Sequence, residues 1–135
     1  MTDNSNRDTA LLVLVHGSPR ANANNDMYRV LEAIRIRGVY PIVEAGFLEC
    51  NDPLIPDAID LCVSKGATKI VAVPYFLHTG THVSEDLPGL LSEGKERHPG
   101  VEFALGPFIG KSDKVTDILI ARTLGALAPY RTAED

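Results

Sequence analysis

Two aliphatic runs constrain this chain more than any other feature: Leu11-Leu12-Val13-Leu14-Val15 and Ile70-Val71-Ala72-Val73-Pro74-Tyr75-Phe76-Leu77. An unbroken Val/Leu/Ile run is the pattern of a strand buried on both faces, as the strands of parallel sheets are. Each run breaks into histidine and glycine, as His16-Gly17-Ser18 after the first and His78-Thr79-Gly80-Thr81-His82 after the second. In an open parallel sheet the ligand crevice lies outside the carboxyl ends of the strands. The sequence therefore aims imidazoles at one crevice.

The rest of the chain reads as alternating strands and helices. A helix is predicted over Asn24 to Arg37, with Met27, Val30, Leu31 and Ile34 on one face and Gly38 as its stop. A second strand spans Pro41 to Leu48. Asp52-Pro53 then supplies an N-cap and first-turn proline for a helix to about Lys65, with Leu54, Ala58, Leu61 and Cys62 as its apolar stripe. Lys69 to Phe76 is the third strand. A helix from about Ser84 to Arg97 follows, with Pro88 near its first turn, then a fourth strand at Val101 to Leu105. A last helix, capped by Ser112, runs to about Leu127. Helices between short strands are what parallel crossovers require. The expected fold is α/β, a three-layer sandwich on a four-stranded parallel sheet. Residues 1–9 are expected to be a flexible tail and 10–130 a single domain.

Composition narrows the function. At 135 residues, 44% hydrophobic and 23% charged, the chain is an ordinary globular domain. Its net charge of −5 gives no reason to expect nucleic acid. No apolar stretch approaches the ~20 residues that span a bilayer, so no membrane partner is expected. Cys50 and Cys62 are too few and wrongly spaced for a disulfide framework or zinc knuckle, which points to a reducing cytoplasm.

On this reading the strand ends collect His16, Gly17, Ser18, Arg20 and Asn24 from the first strand and Glu49, Cys50, Asn51 and Asp52 from the second. The third adds His78, Thr79, Gly80, Thr81 and His82; the fourth adds Gly106, Pro107 and Phe108. Neutral imidazole is a proton acceptor near neutral pH and a good ligand for Fe, Co, Ni or Zn. A carboxylate beside it can complete a metal site or take up a displaced proton. Gly80 between His78 and His82 argues against one continuous helix, so both read as loop residues.

These residues resemble a known family. LLVLVHGS, with Asn24 eight positions after the histidine, looks like the start of the sirohydrochlorin chelatases. GATKIVAVPYFLHTGTHVSEDLP resembles their second signature, and FLECNDPLIPDAID the segment between. The resemblance runs from Leu11 to about Ile109, and the length suits the short, single-domain form, a class II chelatase-like half-unit of the CbiX/SirB kind. It implies a lyase that inserts Co²⁺, Fe²⁺ or Ni²⁺ into sirohydrochlorin, on the route to sirohaem, cobalamin or a nickel tetrapyrrole. The metal is then substrate, with no tightly bound cofactor. Two family histidines map onto His16 and His82, which by analogy hold the incoming metal and help remove the pyrrole protons. Glu49 is the carboxylate candidate by position. Ser18, Arg20, Gly80 and Thr81 are candidates for contacts to the acidic macrocycle, and the short form is expected to act as a homodimer.

Blander readings stand beside these. His16 alone is more often a strand-end structural residue, and His82 can simply bond backbone at a helix start. His78 is open between an extra ligand and a passenger. His98 reads as a cation at a helix C-terminus, Cys62 as core, and Glu49 as either a solvated charge or a functional one. A carrier of metal or metallo-tetrapyrrole is the competing function. A Ser18–His16 hydrolase is disfavoured because no G-x-S-x-G elbow is present.

Overall fold

The computed structural model describes residues 7–127, apart from the side chain of His82. Its elements are β1 (Thr9–Val15), α1 (Asn25–Arg37), β2 (Ile42–Phe47), α2 (Ile55–Ser64) and β3 (Lys69–Pro74). After them come α3 (Thr81–Arg97), β4 (Glu102–Leu105), a 3₁₀ turn (Ile109–Lys111) and α4 (Lys114–Leu127). Residues 1–6 of the expected tail and 128–130 of the expected domain lie outside the described residues.

The strands form one parallel sheet in the order β2-β1-β3-β4, with Leu14 opposite both Gly46 and Pro74. From β1 the chain moves one way to β2, and then back the other way to β3 and β4. Right-handed crossovers in opposite directions lie on opposite faces of a sheet. α1 accordingly covers one face, where Met27 and Leu31 pack with Val13, Val15, Val43, Ala45 and Phe47. α2 and α3 cover the other, where Ile55, Ala58, Ile59, Cys62, Leu87 and Leu91 meet Leu12, Leu14, Ile70 and Ala72. β1 alternates its side chains between the two cores, which is why its sequence is aliphatic without a gap.

Two helix starts differ from the sequence reading. α2 begins at Ile55, not at Asp52-Pro53, and Pro56 occupies its first turn. The reason is a bond: the Phe47 N–H donates to the Pro53 carbonyl at 2.9 Å, holding this stretch extended against the end of β2. α3 begins at Thr81 with Gly80 as its extended N-cap, so Thr81 and His82 are helical and only His78 to Gly80 form the loop. Pro88 consequently lies inside the helix rather than in its first turn.

α2 and α3 are clipped together at their surface. Asp60 Oδ1 lies 2.7 Å from His98 Nε2 and accepts from the Arg97 guanidinium at 3.1 Å. The hydrogen bond with His98, and then Arg97, hold the Asp60 carboxyl below its ordinary pKa of 3.8. A lowered carboxylate pKa contributes stability above the unfolded value and loses it as pH falls through the folded value. Asp60→Asn should therefore lower the melting temperature slightly at pH 6, within the ~0–1 kcal/mol of exposed pairs. The difference should shrink as the pH of a melting series falls below the ordinary carboxylate range, and a difference unchanged in acid would count against the clip.

Candidate metal and tetrapyrrole site

β1 sends its helix to one face and its neighbour β3 sends its helix to the other. Between their carboxyl ends lies the switch-point crevice where open α/β sheets bind ligands. His16 follows β1 directly, and His78 to His82 follow β3. The two strands stay joined past their ends, since the Tyr75 N–H donates to the Leu14 carbonyl at 2.8 Å. Sequence-expected residues from distant parts of the chain thus flank one crevice.

On the β2 side the loops are laced to each other. The Leu48 N–H donates to the Val15 carbonyl at 2.9 Å and the Glu49 N–H to the His16 carbonyl at 3.2 Å. The Ser18 N–H donates to Asn51 Oδ1 at 2.7 Å, and Ser18 Oγ accepts the Arg20 N–H at 3.1 Å. Gly17 makes the lacing possible. Its φ is +94°, and a Cβ there would sit 1.9 Å from the Glu49 carbonyl oxygen. Opposite it, Cys50 takes φ +69° while the Asn51 N–H donates to the Glu49 carbonyl at 2.8 Å. That is a γ-turn of the rare, strained kind, and stored backbone strain concentrates at functional sites.

The lacing sets the chemistry of His16. Its Nδ1 lies 3.4 Å from the Gly17 carbonyl oxygen and 3.7 Å from Glu49 Oε1. The two oxygens beside Nδ1 favour the tautomer protonated there, which leaves the Nε2 lone pair for a metal or a proton. Both side chains are more than half exposed, at the carboxyl end of β1. Nothing here resembles a closed four-ligand structural site. Among the described residues no three His, Cys, Asp or Glu side chains form a metal-holding group. The side chain of His82, the other expected ligand, lies outside the described residues; its backbone sits in the first turn of α3.

The remaining candidates fall into place as follows. Gly80 is the N-cap of α3, Thr81 is its first residue, and the Thr81 carbonyl accepts the Ser84 hydroxyl at 3.0 Å. His78 is exposed in the loop after β3. Cys62 is fully buried, and burial pushes its thiol up to about 12, so it stays protonated core, as its helical position predicted. His98 caps α3 far from the crevice, held by Asp60.

Two contributors were given no role by the sequence, although Asn51 was placed at the end of the second strand. Asn51 holds the β1 loop through its side-chain amide. Lys111, on the 3₁₀ turn, lines a cleft of about 310 Å³ with Pro74, Thr79, Ser84, Leu105 and Phe108 at the carboxyl ends of β3 and β4. Its Nζ stands 5.8 Å from the centroid of the Phe108 ring. A larger cleft, about 580 Å³, opens at the other end of the strands around Thr9, Thr68, Lys69 and Glu102. It holds no histidine, and ligands in such sheets bind at the carboxyl ends.

Fold and site together define a class: a parallel α/β domain whose switch-point crevice is edged by imidazole and carboxylate. The chain belongs to the CbiX family, whose model matches residues 10–126. A sirohydrochlorin cobaltochelatase of Priestia megaterium is 35% identical over 115 residues, covering 85% of this chain and 37% of that one. One from Methanococcus aeolicus is 33% identical over 140 residues, covering 86% of this chain and 98% of the relative. The solved sirohydrochlorin chelatase SirB of Bacillus subtilis subspecies spizizenii, in complex with cobalt, superimposes with a TM-score of 0.80 at 30% identity. That match covers 87% of this chain and 50% of SirB.

Proposed function

We propose that this chain inserts a divalent metal ion, Co²⁺, Fe²⁺ or Ni²⁺, into sirohydrochlorin. The observation that carries the reading is His16, its Nε2 free and its Nδ1 backed by Gly17 and Glu49, beside the crevice that α3 borders. Membership of the CbiX family and likeness to sirohydrochlorin chelatases support the substrate.

Metallation requires the ion to shed water while two pyrrole N–H protons leave, so ligand and base must share one side of the macrocycle. In this reading His16 Nε2 and His82 guide the metal and, as it passes to the macrocycle, each accepts one of the two pyrrole protons. The Glu49 carboxylate, 3.7 Å from His16 Nδ1, stabilises the imidazolium that forms there. Few ligands favour release of the ion, as transfer demands. Glu49→Gln is expected to slow insertion by 10- to 100-fold, the usual cost of losing a partner that orients a ligand. Steady-state rates at saturating metal measure this, and an unchanged rate removes Glu49 from the mechanism.

The chain carries a net charge of −5, so an acidic macrocycle must be met by local donors. In this reading Ser18, Arg20, Gly80 and Thr81, which follow β1 and β3, supply those donors, and Lys111 adds a cation from its cleft at the ends of β3 and β4. Lys111→Ala should raise KM for sirohydrochlorin about tenfold with kcat unchanged, as loss of a charge-assisted contact worth about 1.4 kcal/mol would. An unchanged KM would place the acidic groups elsewhere.

The working unit in this reading is a homodimer, supported by a chain that covers 50% of SirB. Two free cysteines support a cytoplasmic setting. Among the described residues no helix is long and apolar enough to cross a membrane. Anaerobic absorption spectroscopy of sirohydrochlorin with each metal tests the function. Many protein-dependent turnovers with substrate in excess are expected, whereas a shift that stops at one equivalent would mean a carrier.

A further inference from the structure

The peptide unit between Gly17 and Ser18 faces two ways. Its carbonyl oxygen lies 3.4 Å from His16 Nδ1, and its N–H donates to Asn51 Oδ1 at 2.7 Å. The unit is trans, and a trans peptide is planar with its C=O and N–H on opposite edges. Whatever fixes the direction of one therefore fixes the direction of the other. The ring of His16 is tied, through one rigid plane, to a side chain of the loop after β2.

Nothing in the local sequence holds that plane. Gly17 sits at φ +94°, and glycine rotates about ψ at little steric cost, so the peptide after it is free to turn over. A turn of about 180° exchanges the two groups, as it does between paired types of β-turn. The Ser18 N–H would then face His16 Nδ1 in place of an oxygen. Nδ1 would become the acceptor and the proton would move to Nε2, the nitrogen that must stay bare to hold a metal.

Asn51 opposes this turnover. A backbone N–H can only donate, so the amide oxygen of Asn51, not its nitrogen, faces Ser18. That oxygen also stands 3.2 Å from where a Cβ on Gly17 would lie, against the pivot of the flip. The Asn51 main-chain N–H meanwhile donates to the Glu49 carbonyl at 2.8 Å and closes the turn that carries Glu49. Glu49 Oε1, 3.7 Å from Nδ1, is the second oxygen beside the ring. One residue thus governs both: its side chain the Gly17 oxygen, its main chain the Glu49 segment.

We propose that Asn51 is a positioning residue that sets the tautomer of His16: by clamping the Gly17–Ser18 peptide it keeps an oxygen toward Nδ1, and so keeps Nε2 unprotonated for the ion. It acts through the peptide and the ring, not on the macrocycle. Its replacement therefore weakens the use of metal and leaves macrocycle binding alone. The inference rests on the role proposed above for His16, and a readout that needs no turnover keeps the two separable.

Nitrogen NMR of the histidine rings at about pH 8.5, above the ordinary imidazole range, distinguishes the two neutral forms. The His16 signals are assigned by their loss in His16→Gln, and in the parent they should show Nδ1 protonated. In Asn51→Ala the share protonated at Nε2 should grow. In the same variant kcat/KM for Co²⁺ should fall about tenfold, with KM for sirohydrochlorin unchanged. Asn51→Asp keeps an oxygen for the Ser18 N–H and should restore the parental ring signals. Should Asn51→Ala not fold, Asn51→Gln makes the same test, since its added methylene carries the acceptor past the Ser18 N–H. Unchanged ring signals in the folded variant overturn the proposal whatever the rate does, and so does Asn51→Asp giving the signals of Asn51→Ala. A parent that inserts no metal, yet shows ring signals that depend on Asn51, overturns the proposed function and leaves the control of the tautomer standing.

Discussion

Replacing His16 with alanine will cut metal insertion at least about a hundredfold while leaving the melting temperature within a degree or two. The asymmetry follows from where the side chain stands. It is 56% exposed and lies outside both hydrophobic cores, so its loss costs the fold little. Its Nε2, however, is the free nitrogen of a ring oriented by Gly17 and Glu49, and losing a positioned base typically costs 10²–10⁴-fold. His82→Ala is expected to behave alike in rate, and the double variant should be little worse than either single, as residues acting in one unit are not additive. Metal insertion at saturating sirohydrochlorin, with a thermal melt of the same sample, decides it. Near-parental rates in both variants would remove the histidines from the reaction.

The second large effect is on stability, at the residue next to it. Gly17→Ala should lower the melting temperature by roughly 10 °C, corresponding to about 2–4 kcal/mol for a domain of this size. Two costs combine. An L-residue is strained at φ +94°, and its Cβ would lie 1.9 Å from a backbone oxygen that cannot rotate away. Relief requires the β1 and β2 loops to part, breaking the Glu49–His16 and Ser18–Asn51 bonds. Insertion should fall as well, since Glu49 would leave Nδ1. Gly38→Ala separates the two costs, because Gly38 has φ +68° with nothing within 4 Å of a Cβ. It should lose only about 1–2 kcal/mol. Equal melting of the two variants would show that the loop contact contributes nothing.

Much of this was legible in the residues. The run Leu11 to Val15 could be read as a central strand because both of its faces are buried, on two different cores. His16 could be read as a crevice residue because the strand ends there. Cys62 was legible as core from its helical stripe. The start of α3 was misread because Gly80 looks like a helix breaker, whereas here it is an extended N-cap that begins the helix. The start of α2 was misread for a longer-range reason: the bond from Phe47 that holds Pro53 out of the helix crosses from another element.

By itself the sequence determined the alternation of strands and helices, the parallel sheet and the histidines at strand ends, since periodicity and glycine act locally. Only the tertiary structure decided that β1 and β3 are neighbours, which sets the β1 and β3 loops on the two sides of one crevice. It alone brought Glu49 beside His16 and made Asn51 a loop clamp, because both join residues more than 30 positions apart. It also left α4 without a buried residue, which the helix's own apolar residues did not foretell.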